Sequence, residues 1–210
     1  MMPWENVAAF VVASVAIILI PGPSVLFVIG RSIALGRRAG ALSVIGNALG
    51  TVPAVVAVAF GVGAIVASSV VAFTVLKIAG ALYLAYLGGQ AIRHRNDVVG
   101  RTSTPSGGTA RLLRQGFLVG LTNPKTIALF VAVLPQFVAP AAGPVWAQLL
   151  VLGLLFQTLA LVCDSAWALA TGTARAWFAT SPRRMATLSG TGGVMMIGLG
   201  GTLALTGSKA

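Results

Sequence analysis

From about Asn6 to Gly30 the chain carries an apolar run, broken near its middle by Ile20-Pro21-Gly22-Pro23-Ser24. A helix of about 20 apolar residues crosses a bilayer core. Two prolines and a glycine inside such a run remove backbone donors and interrupt the ladder of helical hydrogen bonds. About a hundred residues later, Asn123-Pro124-Lys125 interrupts a second apolar run in the same way. Laying Pro21 on Pro124 also lays Leu26 on Leu129, Phe27 on Phe130 and Val28 on Val131. Matched Pro-interrupted segments in two halves of a membrane chain point to a solute site where the broken helices meet.

The composition fits only a membrane chain. Of 210 residues, 57% are hydrophobic and 8% charged, whereas soluble domains carry about a quarter charged residues. The net charge of +11 would suit nucleic acid, but its placement argues against that partner. Eleven of the fourteen Lys and Arg fall in three groups between apolar runs: Arg31, Arg37 and Arg38; Arg93, Arg95, Arg101, Arg111 and Arg114; Arg175, Arg183 and Arg184. Short basic loops of this kind face the cytoplasm, where they also meet anionic lipid headgroups.

Six segments are long and apolar enough to be spans: about Asn6 to Gly30, Ala39 to Ala67, Val71 to Ile92, Gln115 to Val138, Trp146 to Ala170 and Met185 to Thr206. Glu5 precedes the first, which lacks a basic n-region and reads as a retained span. Gly36-Arg37-Arg38 forms a short basic turn, and Thr102 to Gly108 a flexible linker. The expected organisation is a first three-helix half over 1–92, a cytoplasmic linker over 93–114 and a second half over 115–210. Basic odd-numbered connections put both termini outside the cytoplasm. Three spans per half then require the halves to be inverted. The predicted fold is therefore an all-α integral membrane protein of six helices in two inverted repeats, with Pro-broken first and fourth helices.

Candidate site residues cluster at the breaks. A restarting helix exposes N–H groups suited to a carboxylate, which nominates Pro21, Gly22, Pro23, Ser24, Asn123 and Pro124. Lys125 lies about ten residues, or ~15 Å, inward from the basic loop by helical rise. Asp164 is the only carboxylate of the second half and sits well inside its span. Intramembrane charges are costly enough to be functional candidates; the alternative is a Lys125–Asp164 ion pair serving structure. Ser43, Asn47 and Thr51 recur every four residues on one helix face, and Gln157 stands two turns before Asp164. Lys77, near the outer end of its span, is expected to snorkel to the interface, and Trp146 to anchor there. The spacings Gly46/Gly50 and Gly80/Gly88, and the glycines from Gly190 to Gly201, suit close helix packing.

Enzyme chemistry lacks material. One His, one Cys and three carboxylates provide neither a metal cluster nor a nucleophile triad. Cys163 has no partner cysteine, His94 reads as a solvated loop residue, and no cofactor is implied.

At Pro21-Gly22-Pro23, Gly36-Arg37-Arg38-Ala39-Gly40 and Leu76 to Leu84, and again at Gly116-Phe117-Leu118, Asn123-Pro124-Lys125 and Leu134 to Val138, the chain resembles the LysE/RhtB family of bacterial amino-acid exporters. The resemblance implies proton-driven export of amino acids or close derivatives across the cytoplasmic (inner) membrane. It also implies an acidic residue in the fifth span, here Asp164. Ser24 departs from the Asn or Asp that many members carry after the second proline, which bears on substrate identity. On this reading Lys125 and the broken ends hold the substrate carboxylate, while Asp164 takes the ammonium group or the coupling proton. Rival readings are an exporter of metal or other inorganic ions and a noncatalytic membrane partner. The sequence leaves room for a homo-oligomer.

Overall fold

The computed structural model describes residues 2–68, 70–94, 108–174, 177 and 181–205. Arg95, Arg101, Arg175 and the centre of the expected linker lie outside the described residues. Within them the chain forms eight α-helices and no strand: α1 (Trp4–Leu19), α2 (Pro23–Leu35), α3 (Arg37–Ser68), α4 (Val70–Arg93), α5 (Thr109–Leu121), α6 (Pro124–Ala132), α7 (Val145–Thr173) and α8 (Pro182–Leu205). Two short 3-10 turns, Leu134–Phe137 and Pro140–Ala142, join α6 to α7.

Both expected breaks form. α1 and α2 meet at 51°, and α5 meets the segment Pro124–Phe137 at 41°. Each second helix restarts on a proline at its first position, Pro23 and Pro124. That register differs by two residues from the alignment of Pro21 with Pro124. Proline favours the first position of a helix because the N–H it lacks would have no intrahelical partner there. The helix start thus pairs Pro23 with Pro124, and their N-caps Gly22 with Asn123.

By length and apolarity, α3 and α7 can cross a membrane, and up to four crossings result if each bent pair counts as one. The 24-residue helices α4 and α8 occupy the expected third and sixth segments. Large apolar side chains stand exposed around the outside; Val71 is 75% and Val162 65% accessible. Such a surface suits lipid rather than water. The turn at Gly36-Arg37-Arg38 is shorter than expected. Gly36 alone makes it, with φ of 87°, a left-handed conformation that glycine adopts without a Cβ penalty. Arg37 and Arg38 already belong to α3.

Packing centres on α3, which lies against α5 and α7, while α4 packs on α8. Small residues set these distances. A Cβ on Gly120 or Gly50 would strike backbone of the facing helix, at Asn47 and Phe117 respectively, and Gly88 meets Gly193 in the same manner between α4 and α8. A buried cluster including Phe10, Val55, Leu84, Phe130, Leu149 and Leu152 draws α1, α3, α4, α6 and α7 together. Phe130 meets Phe156 edge-on with ring centroids 5.2 Å apart. Gln148 ties the loop before α7 by donating to the carbonyls of Ala139 and Gly143 and accepting from Ala139 N–H.

Lys77 does not snorkel: it is buried, with 3% of its surface accessible. Its position places it one turn before Gly80, which packs on Ala132 of α6.

Candidate functional site

The two breaks face each other. At the end of α1 the prolines interrupt the ladder: Pro21 has no N–H to return to Ile17, and the extended Ile20 leaves its own carbonyl outside the helical pattern. A buried, unpaired carbonyl costs several kcal/mol in an apolar medium, so it demands a donor. Lys125 supplies it. Its Nζ donates to the carbonyl oxygens of Ile17 at 3.1 Å and Ile20 at 2.6 Å. The lysine stem passes directly over Gly22, where a Cβ would lie 2.6 Å from Lys125 Cδ. The backbone of Pro21 is backed in turn by Gly192 of α8.

Lys125 is held in place by the start of α6. Asn123 is the N-cap: its Oδ1 accepts from the backbone N–H of Lys125 at 3.2 Å, the usual way of satisfying an orphan helix donor. The Nδ2 group of the same side chain donates to Ser24 Oγ at 2.6 Å and Thr126 Oγ1 at 2.7 Å. One asparagine therefore caps α6 and ties it to α2 across the two breaks.

A cavity of about 50 Å³ lies at this junction. Its polar wall comprises Ser24 from α2, Asn47 and Thr51 from α3, Asn123, Lys125 and Thr126 from the second break, and Gln157 and Asp164 from α7. Ile17, Ile18, Val25, Leu129, Phe156 and Ala160 form the apolar remainder. Lys125 and Asp164 are both buried, 7% and 5% accessible, yet among the described residues they form no ion pair at contact distance. They share the cavity without closing it. Asn47 is equally buried, and its Oδ1 has no hydrogen-bond partner. The site thus offers opposite charges and neutral polar groups to a small solute enclosed by apolar walls.

The LysE type translocator family model matches residues 15–207, which span both breaks and the cavity. The chain belongs to the LysE type translocator family. Among curated relatives, an uncharacterized membrane protein of Vibrio cholerae is 36% identical over 93% of this chain and 95% of its own length. A homoserine/homoserine lactone efflux protein of Salmonella typhi is 32% identical over 97% of this chain and 98% of its own. A leucine efflux protein of Klebsiella pneumoniae is 27% identical over 92% and 90%. No solved structure shows a significant match to the chain.

In this LysE type translocator, Gly22, Ser24, Asn47, Asn123, Lys125 and Asp164 all line the cavity. Pro21, Pro23 and Pro124 do not line it; they shape the breaks that bring the others together. Of the polar stripe on α3, Asn47 and Thr51 reach the cavity, whereas Ser43 is buried and donates back to the Ala39 carbonyl. Lys125, read with the broken ends as holding a substrate carboxylate, lines the cavity and also donates to two backbone carbonyls. Thr126 was missed. Its signal was its place three residues after the N-cap asparagine, where a hydroxyl returns to the capping side chain.

Proposed function

We propose that this membrane protein exports amino acids or close derivatives from the cytoplasm across the bacterial inner membrane by proton antiport, with the cavity between its two breaks as the transport site. The observation that carries the reading is the pair of buried opposite charges, Lys125 and Asp164, that line one cavity walled by both broken helices. Charged residues at membrane depth mark solute or proton pathways. Membership in a family whose relatives are named for efflux of homoserine, its lactone and leucine supports small neutral amino acids as cargo.

Alternating access would be a rocking of two inverted three-helix halves about the cavity, with both termini on the non-cytoplasmic side. Matched proline starts at Pro23 and Pro124 support such halves. So does the pairing of α3 with α7 and of α4 with α8, since second meets second and third meets third. Asp164 gives the simplest coupling: substrate ammonium and proton compete for one carboxylate, so each leaves it to the other on opposite sides of the membrane. Ser24, Asn47, Asn123 and Thr126 would supply neutral hydrogen bonds.

The test is efflux of preloaded homoserine and leucine from cells expressing the protein, with and without a protonophore. Selective efflux that the protonophore abolishes is the expected result. Absence of efflux for either amino acid, with the protein well inserted, would refute the reading.

A further inference from the structure

The charged groups of the cavity are not equivalent. Lys125 has three N–H donors, and two are used by the carbonyls of Ile17 and Ile20 in closing the α1–α2 break. Asp164 is nine-tenths buried or more, lines the same cavity, and makes no hydrogen bond or ion pair among the described residues. Asn47, on the neighbouring helix α3, is buried to the same degree, lines the cavity, and has an unpartnered carboxamide oxygen. Lys125 is engaged in hydrogen bonds, while the Asp164 carboxyl group and the Asn47 carboxamide oxygen, on the same cavity, are not.

A ligand gains most where buried groups lack partners, because an unsatisfied buried acceptor carries its full desolvation cost until a donor reaches it. A protonated amine brings positive charge and several donors to Asp164 and Asn47 in charge-assisted hydrogen bonds. A carboxylate must instead displace Lys125 from the carbonyls it caps, or settle for the one N–H left over.

We infer that the cavity reads its cargo by a protonated primary amine held between Asp164 and Asn47, and that a free carboxylate is dispensable. The inference rests on the exporter reading and narrows its substrate class. Carboxyl esters and amides of amino acids belong to that class, while N-acylated amino acids do not.

The test is competition on the purified full-length protein against bound radiolabelled L-homoserine or L-leucine. The competitors are the parent amino acid, its methyl ester and its N-acetyl derivative. The ester should displace the label within about fivefold of the parent, and the N-acetyl compound should be weaker by about fiftyfold, as loss of a charge-assisted contact implies. Asn47→Ala should weaken parent and ester alike by about tenfold, and Asn47→Asp, which keeps the acceptor, should restore binding. An N-acetyl compound that competes as well as the parent, or an ester that fails where it succeeds, overturns the inference. Failure of both parent amino acids to bind the folded protein overturns instead the exporter reading beneath it. The ligand series on the unaltered protein decides the question even if the Asn47 variants fold poorly.

Discussion

The Nζ of Lys125 lies 2.6 Å from the carbonyl oxygen of Ile20, 105 positions earlier in the chain. The first residue after one broken start thus completes the hydrogen bonding of the other break. Proline removes donors from a helix at membrane depth, and something within the protein must replace them. Here the replacement comes from the opposite half, so the integrity of the first break depends on the second.

Replacing Lys125 by methionine keeps most of the apolar stem and removes the ammonium group that makes both contacts. The Ile20 carbonyl is then left bare, while the Ile17 carbonyl keeps its bond from Ile20 N–H, at a cost of about 1–3 kcal/mol. Thermal unfolding of purified protein should show a lower Tm for Lys125→Met, together with lost efflux. An unchanged Tm would mean that the two contacts contribute nothing to the fold.

Gly22→Ala should act through the same lysine. The added methyl would sit 2.6 Å from Lys125 Cδ and 3.3 Å from Nζ, and the pinned ammonium group limits how far the stem can move aside. Overpacking of this kind costs about 1–3 kcal/mol. Efflux normalised to protein in the membrane should fall, whereas Gly61→Ala and Gly198→Ala, with nothing within 4 Å, should leave it unchanged.

Gly120→Ala should be more damaging than Gly22→Ala. Its Cβ would meet the backbone of Asn47, which cannot rotate away as a side chain can, so α3 and α5 must separate along their seam. Membrane accumulation of the variant should drop, and that can be read by fluorescence size-exclusion chromatography in detergent.

Asn123 and Ser24 should behave as a coupled pair. Asn123→Ala removes the α6 cap and the tie to α2 at once, for about 1–2 kcal/mol. Ser24→Ala removes only the tie. A double-mutant cycle on thermal stability should therefore return a coupling of about 0.5–1.5 kcal/mol; additive losses would indicate that the 2.6 Å contact carries no energy.

Much of this arrangement could be read from the residues. Pro21, Pro23 and Pro124 inside apolar runs marked both breaks, and the depth of Lys125 and Asp164 singled out two residues that line the cavity between them. What escaped were matters of direction and register. The side-chain echo from Leu26 to Val28 suggested aligning Pro21 with Pro124, but helix starts obey backbone donors, and those favour Pro23. Lys125 was legible as a buried cation, yet nothing local disclosed that it reaches over Gly22 to the carbonyls of α1. Lys77 looked free to snorkel because its place near the end of a span does not disclose that the folded chain buries it. Gly46 and Gly50 announced a tight seam on α3, while its complement, Gly116 and Gly120, became evident only once α5 lay against it.

Accumulation of radiolabelled homoserine and leucine in proteoliposomes with an acidic lumen, compared between the unaltered protein and Asp164→Asn, tests the central claim most directly. Antiport lets protons leaving the lumen drive the amino acid inward. The unaltered protein should accumulate at least one of the two only while the pH gradient lasts, and Asp164→Asn, reconstituted to the same level, should accumulate neither. Accumulation that ignores the gradient, or that persists in Asp164→Asn, would contradict the assignment of this cavity as a proton-coupled transport site.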